Sequence, residues 1–202
     1  MNSFLNAKSV VILLLLCVTA MPQGLFKPER GTLLGYELQE SGGTYNLQAK
    51  IKTFMPYRSF VYKKISGDTT AGEVSISIFA VKGADRIIFD FSAGEKIYHD
   101  AMSLWISRYG YQTLIKENKI TLAVEDTIPV LFTVTGKTKS AIKLNGRNKK
   151  LNSLILSETD TVKMLPLKGG RVMHIADDPA NPMILYYEGK AKLRLKEVKT
   201  QK

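Results

Sequence analysis

The chain has 202 residues, of which 45% are hydrophobic and 23% charged, and this ordinary globular composition excludes collagen-like, low-complexity and wholly disordered proteins. Its 29 Lys and Arg residues outnumber 18 Asp and Glu residues, so the formal net charge is +11. One cysteine and two histidines exclude disulfide frameworks and most cysteine-ligated metal sites, and a chain of this length can bury a core without either.

The N-terminal sequence predicts a secretory signal peptide over residues 1–20. Lys8 precedes an apolar run over residues 10–18, which is shorter than the ~20 residues that span a bilayer. Small side chains at the end of the run predict cleavage after Ala20, with an uncleaved membrane anchor as the alternative. Cys17 follows a leucine that is too large for a lipoprotein signal, so this cysteine is expected to leave with the signal peptide.

Removal of the signal peptide predicts a mature chain without cysteine, which suits an oxidising compartment. No second apolar run of spanning length follows, and the sequence has no Asn-x-Ser/Thr acceptor for glycosylation. These features favour an exported protein of the periplasm or cell envelope of a Gram-negative bacterium, although hydropathy alone leaves a eukaryotic secretory route open.

From residue 33 onwards the sequence alternates with the period of a β-strand. Residues 21–32 carry two prolines and two glycines and are expected to form a flexible lead. Leu34, Tyr36 and Leu38 alternate with Gly, Glu and Gln, and a second alternating run follows the turn Ser41-Gly42-Gly43. Two such runs around a glycine pair predict a β-hairpin.

The same period continues towards the C terminus, and residues 33–202 are expected to form one domain. Residues 111–114 and 161–167 are among the predicted strands, whereas residues 95–109 fit either a short helix or a bulged strand. Turn sequences such as Asn145-Gly146 separate the runs, and no long helices alternate with them. The predicted fold is all-β: a single antiparallel meander that curls into a barrel or an open half-barrel, with at most one short helix.

The inward-facing positions of these strands form a large apolar set. If the sheet closes fully, these residues fill a core, and if it stays open they line an apolar groove. The set contains Leu34, Tyr36, Leu47, Ile51, Val74, Ile76, Ile78, Phe89, Phe91, Leu154, Leu156, Met183 and Leu185. An open groove with a basic rim would suit a carrier of lipids or lipoprotein tails, by analogy at the level of the fold.

The C-terminal third of the sequence carries short motifs of a known family. Residues 134–144 read Val-Thr-Gly-Lys-Thr-Lys-Ser-Ala-Ile-Lys-Leu, and residues 170–198 join an Asp-Asp-Pro turn to a Pro-led strand and a final strand of alternating basic and apolar residues. In these features the chain resembles the exported bacterial proteins classed as domain of unknown function three-one-zero-eight. His174 and Ala176 depart from the family pattern, which commonly has an aromatic residue and a Ser or Thr there. The family has no established activity, so the resemblance implies a β-rich exported fold and no particular chemistry.

The residues that carry catalytic chemistry form no recognisable signature. A hydrolase nucleophile needs a base and an orienting acid, but the predicted mature chain has no Cys and no Gly-x-Ser-x-Gly elbow. Its two imidazoles are His99, expected in an exposed turn, and His174, expected half-buried on a strand. Residues 177–181 offer oxygen ligands without the spacing of an EF-hand, so an Asx-type turn is expected there. No catalytic residue, metal site or cofactor is predicted.

Two groups of basic residues are the candidate binding residues. One surrounds the Asn145-Gly146 turn, and the other alternates with apolar residues near the C terminus, where its members share one face of a strand. The eight residues are Lys143, Arg147, Lys149, Lys150, Lys190, Lys192, Arg194 and Lys196. Such groups attract anionic lipid headgroups, or other anionic envelope polymers, by ~1 kcal/mol per cation near a charged surface. The alternative is a charged edge strand that prevents aggregation, and export argues against nucleic acid as a partner.

These features favour a non-enzymatic exported envelope protein that binds an apolar or anionic amphiphilic ligand such as a lipid. The first alternative is a structural or assembly partner of another envelope protein, which would use an exposed strand edge. The second alternative is an envelope enzyme that acts on glycan through paired carboxylates. The acidic residues considered for that role are Glu73, Asp85, Asp90, Glu95 and Asp100.

Overall fold

The computed structural model describes residues 26–126 and 128–201. The predicted signal peptide, with Cys17 and its cleavage position, lies outside this part of the chain. The described elements are β1 (Leu33–Glu40), β2 (Gly43–Thr53), β3 (Arg58–Ser66), β4 (Asp68–Ile76), α1 (Ile78–Gly83), β5 (Arg86–Ile87), β6 (Gly94–Tyr98), β7 (Ala101–Met102), α2 (Arg108–Glu117), β8 (Lys119–Val124), β9 (Val130–Leu144), β10 (Arg147–Glu158), β11 (Val172–Ala176), β12 (Ile184–Glu188) and β13 (Lys192–Lys199).

The prediction of an all-β fold is confirmed, because strands dominate and join one sheet. The order across the sheet is β6-β4-β3-β2-β1-β13-β12-β11-β10-β9-β8-β5-β7. Most neighbours are antiparallel, but the pairs β4–β6, β5–β7, β5–β8 and β9–β13 are parallel, so the sheet is mixed rather than a purely antiparallel meander. The parallel pair β4–β6 arises because α1 and the residues after it carry the chain back before β6 begins.

Five strands, β9 to β13, close into a ring. The end of the long strand β9 pairs with β13, where Lys143 and Leu144 lie opposite Glu197 and Val198. Asn145, at the tip of the β9–β10 hairpin, donates its backbone N–H to the Val198 carbonyl at 2.9 Å. The side chain of Asn145 also forms two hydrogen bonds of 2.9 Å with the residue that follows β13. The hairpin tip therefore fastens the ring at its closing point.

The core lies on the side of the sheet that α2 covers. The predicted inward-facing set is buried in one apolar cluster, except Ile78, which is 37% exposed. Helix α2 contributes Tyr111 and Leu114 to the same cluster, and the segment before α2 contributes Trp105. These apolar residues therefore fill a core, and they do not line an open apolar groove.

Helix α2 replaces a predicted strand. Residues 111–114 lie within α2, and the prediction of at most one short helix is wrong because α1 is present as well. Ser107 begins α2 by accepting a hydrogen bond from the Gly110 N–H at 3.1 Å, and Asn118 ends it in the left-handed region at φ 55°. Alternation over so few residues does not distinguish a strand from one face of a helix.

Local side-chain hydrogen bonds explain two further differences from the predicted strands. The apolar alternation continues past Ile76, but Ser77 accepts a hydrogen bond from the Ala80 N–H at 3.2 Å and begins α1 instead. Residues 161–167 form turns rather than a strand, because the Asp160 carboxylate accepts two backbone N–H groups at 2.8 and 3.0 Å. In both places a short polar side chain offers the backbone an alternative to the sheet.

Gly72 on β4 is a position where any side chain should destabilise the sheet. A Cβ atom added there would lie closer than 3.0 Å to the Gly94 carbonyl oxygen and to the hydroxyl group of the buried Tyr62. We therefore expect Gly72→Ala to lower the free energy of unfolding by about 1–3 kcal/mol in urea unfolding. Gly83→Ala is the control, since a Cβ at this position meets nothing within 4 Å. Equal losses in the two variants would contradict this packing argument.

Candidate anion-binding site

Arg58 occupies a core position at the start of β3. It alternates with Phe60 and Tyr62, which are both in the core cluster, and it lies opposite Ile76 on β4. The residue is therefore buried, with 5% of its surface exposed. Arg58 is not among the candidate residues predicted from the sequence, because it belongs to neither group of basic residues. The two-residue spacing from Phe60 is the signal that places an arginine in the core.

The guanidinium group of Arg58 lies against two aromatic rings. Its Cζ atom is 4.6 Å from the ring centroid of Phe54 and 4.9 Å from that of Trp105. These rings attract the positive charge, but they replace none of the hydrogen bonds that the group makes in water. Among the described residues, neither Nε nor Nη1 of Arg58 has a hydrogen-bond partner, although both atoms are buried. An uncompensated buried charge is costly, so the site is suited to an anion that supplies the missing acceptors.

Trp105 is held in place by the turn that precedes β12. Its Nε1–H group donates a hydrogen bond of 2.9 Å to Oδ1 of Asn181, which is itself buried. The backbone N–H of Ile106 donates to the Pro182 carbonyl at 3.1 Å, so this segment is fixed at two points. The Phe54 ring meets Trp105 edge-on at a centroid distance of 5.9 Å. The fold therefore sets the position of both rings before any ligand binds.

A second arginine increases the positive potential around Arg58. Arg108 is the first residue of α2, and its Nη2 atom lies 4.0 Å from the Sδ atom of Met55, on the loop that precedes β3. Burial, together with the charge of Arg108, lowers the pKa of Arg58 to about 9. The lowered pKa means that the surroundings disfavour the charged form. A bound anion would offset both the burial and the repulsion between the two cations.

Exposed apolar side chains lie on the segments that carry the two arginines. Met55 and Tyr57 precede Arg58 and are 53% and 46% exposed, and Tyr109, on the first turn of α2, is 66% exposed. Phe79 is 77% exposed in α1, which directly follows the strand that pairs with β3. Apolar side chains near a buried cation fit a ligand that has an anionic end and an apolar remainder.

Three of the predicted basic residues near the C terminus contact acids. We call these residues the paired lysines. The contacts are Lys190 with Asp126 at 2.8 Å, Lys192 with Glu188 at 3.1 Å and Lys196 with Glu37 at 3.0 Å. Arg194, the fourth member of the predicted group, forms no ion pair within the described residues. Strand β13 lies between β1 and β12, so the alternative interpretation of a charged edge strand is wrong.

The other four predicted basic residues lie on both faces of the β9–β10 hairpin. Lys143 and Lys150 share one face, because Lys150 lies opposite Ala141 and strand residues two apart point the same way. Arg147 and Lys149 lie on the other face, opposite Leu144 and Ile142 respectively. All four basic residues are exposed, and none forms an ion pair within the part of the chain that the structure describes.

Both histidines have the exposure that the sequence predicts. His99 is exposed in a turn, as expected. His174 is half-buried, as expected, and its ring lies 5.1 Å from that of Tyr186. Burial lowers the pKa of His174, so the imidazole is neutral at pH 7. His174, Tyr186 and Arg194 line a cavity of about 350 Å³ at the ring of strands.

Three of the acidic residues considered for glycan chemistry contact cations. The contacts are Glu73 with Lys52 at 2.7 Å, Asp90 with Lys96 at 3.8 Å and Asp100 with Arg86 at 3.8 Å. Each of these three carboxylates is therefore beside a cation, whereas Asp85 lines a cavity together with Glu117.

The Asp-rich turn after β11 has a structural role. The Asp178 carboxylate accepts a hydrogen bond from the Ala180 N–H at 2.9 Å, which confirms the predicted Asx-type turn. Asp177 accepts a hydrogen bond of 2.9 Å from the Tyr111 hydroxyl and contacts Lys137 at 3.1 Å. Across residues 26–126 and 128–201, no group of three or more His, Cys, Asp or Glu side chains could hold a metal ion.

Comparisons with known proteins give no family for this chain. No family model matches it, and no curated protein matches its sequence. The resemblance to domain of unknown function three-one-zero-eight therefore stays a prediction. In the described part of the chain, neither helix has the length and hydropathy needed to cross a membrane.

Proposed function

We propose that this chain is a non-enzymatic, exported cell-envelope protein that binds an anionic amphiphile, with the anionic group held by Arg58. The observation that carries the proposal is the buried guanidinium group, whose Nε and Nη1 atoms have no acceptor among the described residues. A carboxylate or phosphate group supplies such acceptors and compensates the charge. Arg108 adds a second positive charge nearby.

The apolar part of the ligand lies against the exposed side chains around this site. Because the predicted inward-facing residues are packed in the core, a hydrocarbon chain has no groove to enter there. Met55, Tyr57, Phe79 and Tyr109 are instead exposed apolar side chains on the outside of the protein, available to a hydrocarbon chain. A ligand held in this way has its charged end buried and its chain partly exposed.

The two alternative functions have weaker support. An assembly partner that pairs through a strand edge needs a long free edge, but the sheet order ends at β6, with five residues, and at β7, with two. A glycan-acting enzyme needs paired carboxylates, whereas Glu73, Asp90 and Asp100 contact cations. Neither alternative uses the buried charge of Arg58.

The fluorescence of Trp105 tests the proposed function directly. Trp105 is the single tryptophan of the chain, and its ring lies against the Arg58 guanidinium group. We expect dodecyl phosphate, below its micelle-forming concentration, to change the emission more strongly than dodecanol, which has the same tail without the charge. Arg58→Met should weaken dodecyl phosphate binding by about 10- to 150-fold, because hydrogen bonds to a charged group contribute about 1.5–3 kcal/mol.

Arg194→Met is the matched control for this experiment. It removes the same charge from an exposed arginine that forms no ion pair with any residue the structure describes, so dodecyl phosphate binding should be unchanged. Equal binding by wild type and Arg58→Met would contradict the proposal. Equal affinity for dodecanol and dodecyl phosphate would also contradict it, since the anionic group would then contribute nothing.

A further inference from the structure

The β9–β10 hairpin carries three lysines around one alanine. Lys139 and Lys143 lie two residues on either side of Ala141 on β9, and Lys150 lies directly opposite Ala141 on β10. All three lysines are exposed, and we call them the lysine face. Diagonal neighbours across a strand pair are about 7–8 Å apart, so Lys150 is close to both other lysines.

The lysine face has no ion-pair partner among the described residues. Asp177 lines the same cavity as Lys139, but its carboxylate contacts Lys137 at 3.1 Å. Glu197 lies opposite Lys143 in the β9–β13 pairing, but its carboxylate lies 3.0 Å from Lys199. The remaining positions of this face carry Asn148 and Asn152, opposite Lys143 and Lys139. Like charges at such short spacing repel one another, so the hairpin presents a concentrated positive surface.

The contrast with the paired lysines makes this surface distinct from the general positive charge of the protein. Each paired lysine contacts a carboxylate at 3.1 Å or less. Lys137, which precedes the lysine face on β9, is likewise 3.1 Å from Asp177. The lysine face therefore keeps its charge available for an external anion. The paired lysines and Lys137 instead form ion pairs within the protein.

We propose that the lysine face docks the protein onto an anionic lipid bilayer. Lysine is a compact point charge, which suits attraction to a charged plane better than bidentate recognition of one phosphate. Residues 137–152 contain no aromatic side chain on which the bases of a nucleic acid strand could stack. The nearby apolar residues Ile142 and Leu151 are buried, so docking occurs by charge without insertion into the bilayer. This proposal does not depend on ligand binding at Arg58.

Vesicle binding tests the proposal. The triple variant Lys139→Gln, Lys143→Gln, Lys150→Gln is compared with wild type on phosphatidylglycerol–phosphatidylcholine vesicles and on pure phosphatidylcholine vesicles. We expect the triple variant to lose roughly a hundredfold in affinity for the anionic vesicles, since each lysine near the surface contributes about fivefold. Wild-type binding should also weaken as salt rises from about 0.1 M to about 1 M, because the screening length falls from about 10 Å to about 3 Å.

The control variant changes the three paired lysines to Gln. The control variant removes the same net charge from the protein. If its affinity for the anionic vesicles falls by less than about fivefold, binding is assigned to the lysine face. Equal losses in the two triple variants would overturn the proposal, because net charge alone would then explain binding. Retained vesicle binding in the lysine-face variant, with lost binding of heparin or single-stranded DNA, would also overturn it in favour of a polymer site.

Two further measurements keep the result interpretable. The single variants Lys143→Gln and Lys150→Gln should each lose about fivefold, which provides a test even if the triple variant folds poorly. Arg194→Met, which removes an exposed cation outside the lysine face and away from β3, should lose less than about fivefold in affinity for the anionic vesicles. A loss in Arg194→Met as large as that in Lys150→Gln would overturn the assignment to the lysine face. Dodecyl phosphate binding at Arg58 is measured without vesicles, so failure of the proposed function and failure of this inference are separable.

Discussion

Replacing Arg58 with methionine should make the folded protein more stable. The substitution removes a buried charge without hydrogen-bond acceptors and leaves an unbranched apolar side chain between Phe54 and Trp105. Replacement of buried ion pairs by well-packed apolar residues is often neutral or stabilises proteins by about 1–4 kcal/mol. For this unpaired charge we expect about 2 kcal/mol, because the gain is reduced by the lost cation–π contacts. For a protein of this size the melting temperature should rise by about 4–8 °C.

The control for the stability measurement is again Arg194→Met, which should change the free energy of unfolding by less than about 0.5 kcal/mol. The pKa of Arg58 is lowered by folding, so above pH about 9 the unfolded chain holds a proton that the folded chain has released. The free energy of unfolding of the wild type then rises with pH relative to that of Arg58→Met. The difference in stability between the variant and the wild type should therefore decrease. A less stable Arg58→Met protein would show that the stacked guanidinium group stabilises the fold.

Trp105→Ala should cause the largest loss of stability of any substitution considered. Trp105 is 1% exposed and packs against Phe54 and Phe60, and it donates a hydrogen bond to the buried Asn181. The cavity alone should cost about 3–5 kcal/mol, and the unpaired Asn181 carbonyl should add to this loss. Urea unfolding followed by circular dichroism measures the effect, since the variant has no tryptophan fluorescence.

A double-mutant cycle separates the two contributions of Trp105. Trp105→Phe keeps an aromatic ring and removes the hydrogen bond, and Asn181→Ala removes the acceptor. We expect the combined variant to lose less stability than the sum of the single losses, by about 0.5–3 kcal/mol. Strict additivity would mean that the hydrogen bond between Trp105 and Asn181 contributes nothing to folding. A loss below about 1 kcal/mol in Trp105→Ala would contradict the packing described for the core.

Period-two alternation predicted most of the sheet, because each strand has one face in the core. Leu34, Tyr36 and Leu47 are buried as their spacing indicates, and Asn145-Gly146 forms the turn between β9 and β10. The ring could not be predicted, because the pairing of Lys143 with Glu197 joins residues from distant strands. Alternation within one strand carries no information about which strand lies beside it.

The candidate site at Arg58 could not be predicted from the sequence for a different reason. The candidate binding residues predicted from the sequence occur in groups of basic residues, whereas Arg58 is a single arginine at an apolar position of β3. Its ring partner Trp105 lies in a segment that fits both helix and strand patterns, and only the tertiary fold brings that segment to β3. The basic groups were recognised, but their acid partners, such as Asp126 for Lys190, lie far away in sequence. Available charge is a property of the folded surface and not of composition.

The central place of β13 has a consequence for the growing chain. β1 pairs with β13, and Leu33 lies opposite Lys199. A strand near the start of the domain can therefore form this pairing only after a strand near its end has been made. Before β13 is synthesised, β1 lacks one neighbour and the ring lacks its closing strand. Contacts so distant in sequence form slowly, because a long stretch of chain must lose its freedom before they are made. A nascent polypeptide with this topology can complete neither the sheet around β1 nor the ring until β13 has been synthesised.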